Sequence, residues 1–161
     1  MFTTFSSLHR KVLINPVKKG DVKALHTLHK KCFWQAWDKE TFRFFLHDSQ
    51  VVGFLSLSTG ETHCPTGFVL ARTVADEAEI LSIAVDIDYR GYGISYVLMN
   101  VLLDYLYQKQ IKMLFLEVDE FNKRARTLYK HFDCKVIGRR RGYYKSQSGH
   151  SDALILSRKL L

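Results

Sequence analysis

Paired cysteines are missing from this sequence. Its 161 residues include three cysteines, an odd number. Cys32, Cys64 and Cys134 lie far apart and form no C-x-x-C pair. This excludes a disulfide framework as the source of stability and points to a reducing, cytoplasmic setting in which all three are structural. Proline is scarce, at two residues, and no low-complexity run occurs, which argues against long disordered segments. No stretch approaches the ~20 apolar residues of a membrane span. Met1 to Leu8 lacks the apolar core of a secretory signal. Residues 1–20 contain Arg10, Lys11, Lys18 and Lys19 and no acid, as transit peptides do, but a strand over Val12 to Val17 leaves little room for one. There is no G-x-x-x-x-G-K-[ST], which excludes a P-loop, and no G-x-G-x-x-G, which leaves a dinucleotide fold unsupported.

Acidic residues are also short: 16 Asp and Glu against 24 Lys and Arg give a formal net charge of +8. Excess positive charge favours an anionic partner such as nucleic acid, a phosphate-rich cofactor or an acidic peptide. Arg139, Arg140, Arg141 and Lys145 concentrate that charge near the C-terminus. A solvated face explains such a run equally well.

What is present is globular. Hydrophobic residues make up 47% and charged residues 25%, and residues 1–161 fit one domain able to bury its own core. Apolar runs bounded by turn formers predict strands over Val12–Val17, Val51–Leu57, Phe68–Val74, Glu79–Val85, Met113–Val118, Lys135–Gly138 and Ala153–Ser157. The near-continuous apolar content of Glu79–Val85 predicts burial on both faces. Asp21 and Asp38 read as N-caps of two helices, the first with Val22, Leu25 and Leu28 on one face, the second with Phe42, Phe45 and Leu46. Ile94, Val97, Leu98, Val101, Leu102 and Tyr105 mark a long amphipathic helix. Asn122 opens a fourth, with Ala125, Leu128, Tyr129 and Phe132 on one face. The order β-α-α-β-β-β-α-β-α-β-β predicts an α/β (α+β) fold: a mixed, mostly antiparallel seven-stranded sheet flanked by about four helices.

The central motif is strand, then Arg90-x-x-Gly93-x-Ser95, then helix. A glycine-containing turn at a helix N-terminus presents free backbone N–H groups and the positive end of the helix dipole, an anion site suited to a pyrophosphate. Gly91 and Gly93 permit close approach and positive φ. Arg90 can add charge-assisted contacts to phosphate. By itself, so short a turn is also compatible with an ordinary strand-to-helix connection.

Ile83-Ala84-Val85 followed by Arg90-x-x-Gly93-x-Ser95 resembles the acetyl-CoA signature of the GNAT superfamily, R/Q-x-x-G-x-G/A. Ser95 departs from the final Gly or Ala but is still small. Leu116-Glu117-Val118 with Asn122, Ala125, Leu128-Tyr129 and Phe132 resembles the family's second block. Gly138 to Tyr144, Ser151 to Leu154, Asp76 to Leu81 and Trp37 to Glu40 resemble the RimI-type ribosomal-protein N-terminal acetyltransferases. The resemblance spans roughly residues 12 to 158 and implies acetyl-CoA as cosubstrate and a protein N-terminal peptide as acceptor, by analogy the N-terminal alanine of ribosomal small-subunit protein eighteen. It implies no DNA partner and no membrane, and a monomer suffices.

The resemblance further implies that Ile83, Ala84 and Val85 bind the pantetheine arm as if it were a strand, with the Val85 N–H as an oxyanion donor. It places Arg90, Gly91, Tyr92, Gly93, Ile94 and Ser95 at the pyrophosphate and Asn122 against the cofactor. Glu117 becomes the base, its basicity raised by burial in an apolar strand, and Tyr129 the proton donor to sulfur. Each residue has a second reading. Glu117 can pair with a cation such as Arg140, Tyr129 can be core, and Asn122 can be only an N-cap. Glu79 is the second choice of base. His26 and His29 share a helix face without a third ligand, so no metal site is expected. His131 is placed at the surface. Tyr143 and Tyr144 among arginines suit either RNA stacking or, by the resemblance, a loop lining the peptide groove. Other acceptors are a small amine or an internal lysine. A non-catalytic RNA-binding module is the alternative of another class.

Overall fold

The computed structural model describes residues 3–6, 11–60, 62–146 and 149–161. Half of Met1 to Leu8, on which the secretory-signal reading fell, lies outside the described residues.

The elements in chain order are β1 (Thr3–Ser6), β2 (Lys11–Pro16), α1 (Val22–Cys32), α2 (Lys39–His47), β3 (Val51–Ser58), β4 (Pro65–Val74), β5 (Glu77–Val85), α3 (Ile94–Gln108), β6 (Met113–Asp119), α4 (Lys123–His131), β7 (Lys135–Ser146) and β8 (Gly149–Lys159). The strands form one sheet in the order β1-β2-β3-β4-β5-β6-β8-β7. The seven expected strands are there, and an eighth, β1, pairs antiparallel with β2 at the edge. Every neighbouring pair is antiparallel except β5 with β6. That single parallel pair follows from the crossover through α3.

Successive side chains on a strand point to opposite faces, and the sheet uses both. Val69 and Ala71 join Leu98, Leu102, Leu114, Leu116 and Leu128 in the core beneath α3 and α4. Leu70 joins Leu25, Leu28, Phe42, Phe68 and Ala84 in the core beneath α1 and α2.

Three local expectations change. First, β5 is not uniformly buried: its pattern alternates, with Glu77 and Glu79 exposed. Ser82 pairs with Leu70 and Ile80 with Ala71, so Leu81 is an extra, bulged residue. A bulge turns the strand's faces over: Ile80 packs in the first core, whereas Leu81 and Ala84 pack in the second. Second, β7 runs through the arginines to Ser146 rather than ending at Gly138, with an irregular stretch between Arg140 and Tyr144. Gly142 has φ +61 there, and its N–H donates to Asp152. The tyrosines therefore sit on a long hairpin instead of a loop. Third, Asp21 precedes α1, but its carboxylate accepts the Lys18 N–H at 2.7 Å rather than capping that helix. Asp38 does cap α2, accepting the Thr41 N–H at 2.8 Å.

The feature that positions the site is where β5 and β6 part. Their ladder runs from Glu77–Met113 to Ile80–Leu116 and stops, while β6 continues beside β8 to Asp119. Beyond Ile80, the β5 backbone groups that point away from β4 face a gap.

Leu102 is fully buried between α3 and the sheet. Leu102→Ala should lower the unfolding free energy by about 2–5 kcal/mol, read as a shifted urea midpoint with an unchanged slope.

Candidate active site

A cavity of about 940 Å3 opens at that gap. One wall is Ile83, Ala84 and Val85 on β5. The floor is the turn from Tyr89 to Gly93 and the first turn of α3. The opposite wall is one face of α4, and Cys32 and Phe33 at the end of α1 complete the rim.

The turn has the conformation that its glycines allow. Gly91 has φ +83 and Gly93 φ +75, the left-handed region that other residues avoid. Gly93 is the N-cap of α3. The first helical bonds run from the Tyr96 and Val97 N–H groups to the Gly93 carbonyl, both 3.1 Å. The Ile94 and Ser95 N–H groups precede them, so their free ends and the helix dipole address the cavity. Arg90 lines the cavity, and its Nε donates to the Val85 carbonyl at 3.2 Å. The Cys32 thiol donates to the same carbonyl at 3.3 Å. Two contacts thus clamp the end of β5.

An ion pair between a buried carboxylate and a half-exposed lysine ties the turn to α1. Asp86 is 5% exposed and accepts from Lys31 Nζ at 2.7 Å and from the Asp88 N–H. Burial pushes the Asp86 carboxyl upward, but the Lys31 contact, the Asp88 N–H and the charges of Lys31 and Arg90 outweigh it and hold it below the usual carboxylate range.

Nine of the ten proposed cofactor residues line this one cavity. The exception, Tyr92, packs its ring partly buried against the core. Asn122 does both things considered for it: its Oδ1 caps α4 by accepting the Ala125 N–H at 3.1 Å, and it lines the cavity.

The two proposed catalytic residues lie outside the lining. Glu117 follows the last β5–β6 pair by one residue and belongs to the sheet face opposite Leu116 and Val118. The expected apolar burial is not there. Its carboxylate accepts from Arg140 Nη1 at 2.8 Å, and its side chain remains 24% exposed. Alternation explains this: Leu114, Leu116 and Val118 take the core face of β6 and Glu117 the other. Glu79 pairs with Phe115 inside the closed ladder, away from the gap. Tyr129 is buried at 4% exposure. Burial, with the neighbouring Cys134 and Tyr144, drives its phenol above its ordinary value, so it is protonated at neutral pH. Tyr144 bridges the two: burial, then the nearby Glu117 carboxylate, pushes its phenol up to about 12. The buried Ser82 hydroxyl at the split has no hydrogen-bond partner among the described residues.

Several lining residues carried no recognisable sequence signal, among them Tyr89, Tyr96, Arg124 and Thr127. Arg124 and Thr127 could have been found by extending the Leu128 face of α4 back by one helical turn.

The free cations of the C-terminal run are fewer than the sequence suggests. Arg139 is held by Glu120 and Asp152, both at 2.8 Å, and Arg140 by Glu117 and the ring of Tyr143. His131 is exposed. His29 is a core residue at 3% exposure. Its Nδ1 accepts the Trp37 N–H at 3.2 Å, and burial and then His26 push its pKa down to about 4.

A strand edge without a neighbour, a left-handed glycine turn and a helix N-terminus on one cavity form a binding site for an extended, phosphorylated molecule. The chain also matches the acetyltransferase (GNAT) family over residues 15–133. It belongs to the GNAT family. It is accordingly an N-acetyltransferase that takes acetyl-CoA as cosubstrate.

Among GNAT proteins, the chain is 28% identical over 144 residues to the ribosomal protein bS18-alanine N-acetyltransferase of Escherichia coli K12, covering 89% of this chain and 95% of that one. The Haemophilus influenzae enzyme of the same name is 29% identical over 146 residues, covering 90% and 97%. The crystal structure of the Escherichia coli ribosomal-protein-S18-alanine N-acetyltransferase superposes with TM-score 0.86 at 27% identity, over 92% of this chain and 94% of that one. Arabidopsis thaliana NAA60 in complex with a bisubstrate analogue shares the fold, with TM-score 0.81 at 21% identity over 92% and 97%. In the described part of this GNAT chain, no helix is long and apolar enough to cross a membrane.

Replacing Gly93 tests the turn. A β-branched side chain is strained at φ +75 and crowds the phosphates. Gly93→Val should therefore reduce acetyl-CoA affinity at least tenfold in calorimetry while near-ultraviolet dichroism shows a retained fold.

Proposed function

We propose that residues 1–161 act as one catalytic domain, a protein N-terminal acetyltransferase. Its acceptor is the α-amine of a ribosomal small-subunit protein, in particular the N-terminal alanine of the protein modified by the Escherichia coli and Haemophilus influenzae relatives. Three free thiols suit action in a reducing cytoplasm.

The observation that carries this reading is the arrangement at the split. Glu117 lies just past the point where β6 leaves β5, and the Tyr144 phenol neighbours both its carboxylate and the buried Tyr129. The acetyl carbonyl, lodged at the open edge of β5, would receive the Val85 N–H. The acceptor nitrogen attacks that carbon, forming the N–C bond as the C–S bond breaks. Glu117 takes the proton that the amine loses, directly or through water, and Tyr129 supplies one to the departing sulfur. The protonated state of Tyr129 at neutral pH suits a donor.

The acceptor follows from basicity. An N-terminal amine, with pKa about 7.7–8.0, is about one-tenth neutral at pH 7, whereas a lysine near 10.4 is neutral in only about one molecule in a few thousand. A partly exposed carboxylate that keeps an arginine partner fits the acceptor that needs the least deprotonation.

Transfer from acetyl-CoA to an alanine-initiated peptide, a lysine peptide with a blocked N-terminus and a polyamine, read by thiol release and product mass, tests the acceptor. The alanine peptide alone should be modified; transfer only to the other two would overturn the N-terminal assignment. Glu117→Gln should lower kcat by about 10²–10⁴ with acetyl-CoA affinity unchanged. Full turnover in that variant would remove Glu117 from the mechanism.

A further inference from the structure

Two charged residues line the cavity, and both are arginines: Arg90 and Arg124. No carboxylate lines it. The ligand's phosphates fall into two groups, a pyrophosphate in the middle of the molecule and a 3′-phosphomonoester on its ribose. The turn of Arg90 to Ser95 already answers the pyrophosphate, because backbone N–H groups at a helix N-terminus suit a bridging diphosphate. The phosphomonoester carries about −1.5 to −2 charges at pH 7 and has no partner assigned.

Arg124 is the remaining cation. It lies in the first turn of α4, two residues after the capping Asn122. With Thr127 and Leu128 at i+3 and i+4, it forms the stripe that walls the cavity across from the glycine turn. It is exposed, and no hydrogen bond or ion pair is assigned to it among the described residues. Its neighbours on the helix differ. Arg126 does not line the cavity, and its Nη1 donates to the Glu120 carbonyl at 2.8 Å. The nearby basic residues Arg139 and Arg140 are held by carboxylates. Glu117, Glu120 and Asp152 are thus engaged by other arginines, and Arg124 is left lining the cavity.

We propose that Arg124 binds the 3′-phosphate of coenzyme A and so sets the enzyme's preference for coenzyme A over its 3′-dephospho form. A planar guanidinium can engage two phosphate oxygens at once. This assignment rests on the cavity being the coenzyme site. It concerns affinity and cofactor choice and gives Arg124 no part in the acetyl-transfer step.

Calorimetric titration of wild type, Arg124→Gln and Lys130→Ala with coenzyme A and with 3′-dephospho-coenzyme A separates the possibilities. Wild type should bind coenzyme A about tenfold more tightly than the dephospho form, the scale of one charge-assisted contact. Arg124→Gln should lose that preference by weakening for coenzyme A alone, and Arg124→Lys should recover part of it. Lys130→Ala, an exposed change on the same helix, should keep it. The salt dependence of coenzyme A binding should also flatten in Arg124→Gln. Equal losses for the two ligands in Arg124→Gln, or no loss, would overturn the proposal while leaving the cavity assignment intact. A wild type that binds both ligands equally would also overturn it. Binding of neither ligand by wild type would fell the cavity assignment and this inference with it.

Discussion

Everything at the site depends on β5 and β6 ceasing to pair after Ile80 and Leu116. Two adjacent parallel strands that separate leave backbone N–H and C=O groups facing each other across a gap, and such groups need partners. The bulge at Leu81 is one cause, because it increases the local twist and turns the following residues over. The other is commitment on the far sides: β5 stays paired with β4 to Val85, and β6 with β8 to Asp119. Each strand is held from outside, so the sheet opens between them. The connections then bring chemistry to the opening. α3 follows β5 and α4 follows β6, so both helix N-termini arrive at the carboxyl ends of the diverging strands. This is where open α/β sheets place ligands in general. An extended molecule with amides along its arm and phosphates at one end meets both demands of the opening.

The charge distribution divides along the same line. A surplus of eight positive charges alone would make a diffusely basic surface. Instead, three acidic residues are spent on the hairpin: Glu120 and Asp152 on Arg139, and Glu117 on Arg140. These pairs are partly exposed, and each contributes little to stability. Their effect is positional. They tie β7 across β8 to β6 and its following turn, on the strand that carries Tyr144 close to Glu117. They also leave Arg124, to which no carboxylate is paired among the described residues, on the cavity wall. Arginines already bonded within the fold are poor candidates for tracking a nucleic-acid backbone, which weakens the RNA-binding reading of the same run.

The sheet, the helices and the glycine turn were legible in the sequence because each leaves a local mark. Period-two and period-3.6 patterns mark the elements, and glycines at positive φ mark the turn. The bulge at Leu81 left no mark. It lies inside an apolar run with no glycine, so the run read as a strand buried on both faces. The environment of Glu117 was misread for a related reason. An apolar strand looks uniformly buried until its partner strands are known, and here alternation puts Leu116 and Val118 inside and Glu117 on the other face. The extension of β7 was hidden because arginines and a glycine look like a loop, although carboxylates from β6, its following turn and β8 hold them in a ladder. Arg124 and Tyr96 were missed because the cavity that gives them meaning arises only when α4 and α3 are brought together.

The ion pair between Glu117 and Arg140 bears on which reaction the site suits. The guanidinium lies on β7 and the carboxylate on β6, so their separation is set by the β6–β8–β7 register rather than by a flexible loop. Beside that carboxylate lies the Tyr144 phenol, which in turn neighbours the buried Tyr129 phenol. Both phenols keep their protons throughout the neutral range because burial disfavours their anions. In the proposed mechanism the carboxylate takes up the proton and a phenol gives one. Such a division of roles is what acyl transfer from a thioester to an amine requires, since the nucleophile arrives with a proton to lose and the sulfur leaves in need of one. In the same proposal Arg140 adds a constraint on the acceptor, because a cationic amine that nears the carboxylate also nears a positive charge. An amine that is already partly neutral at pH 7 meets less opposition there than one that is almost wholly protonated, and among protein amines that is the chain terminus.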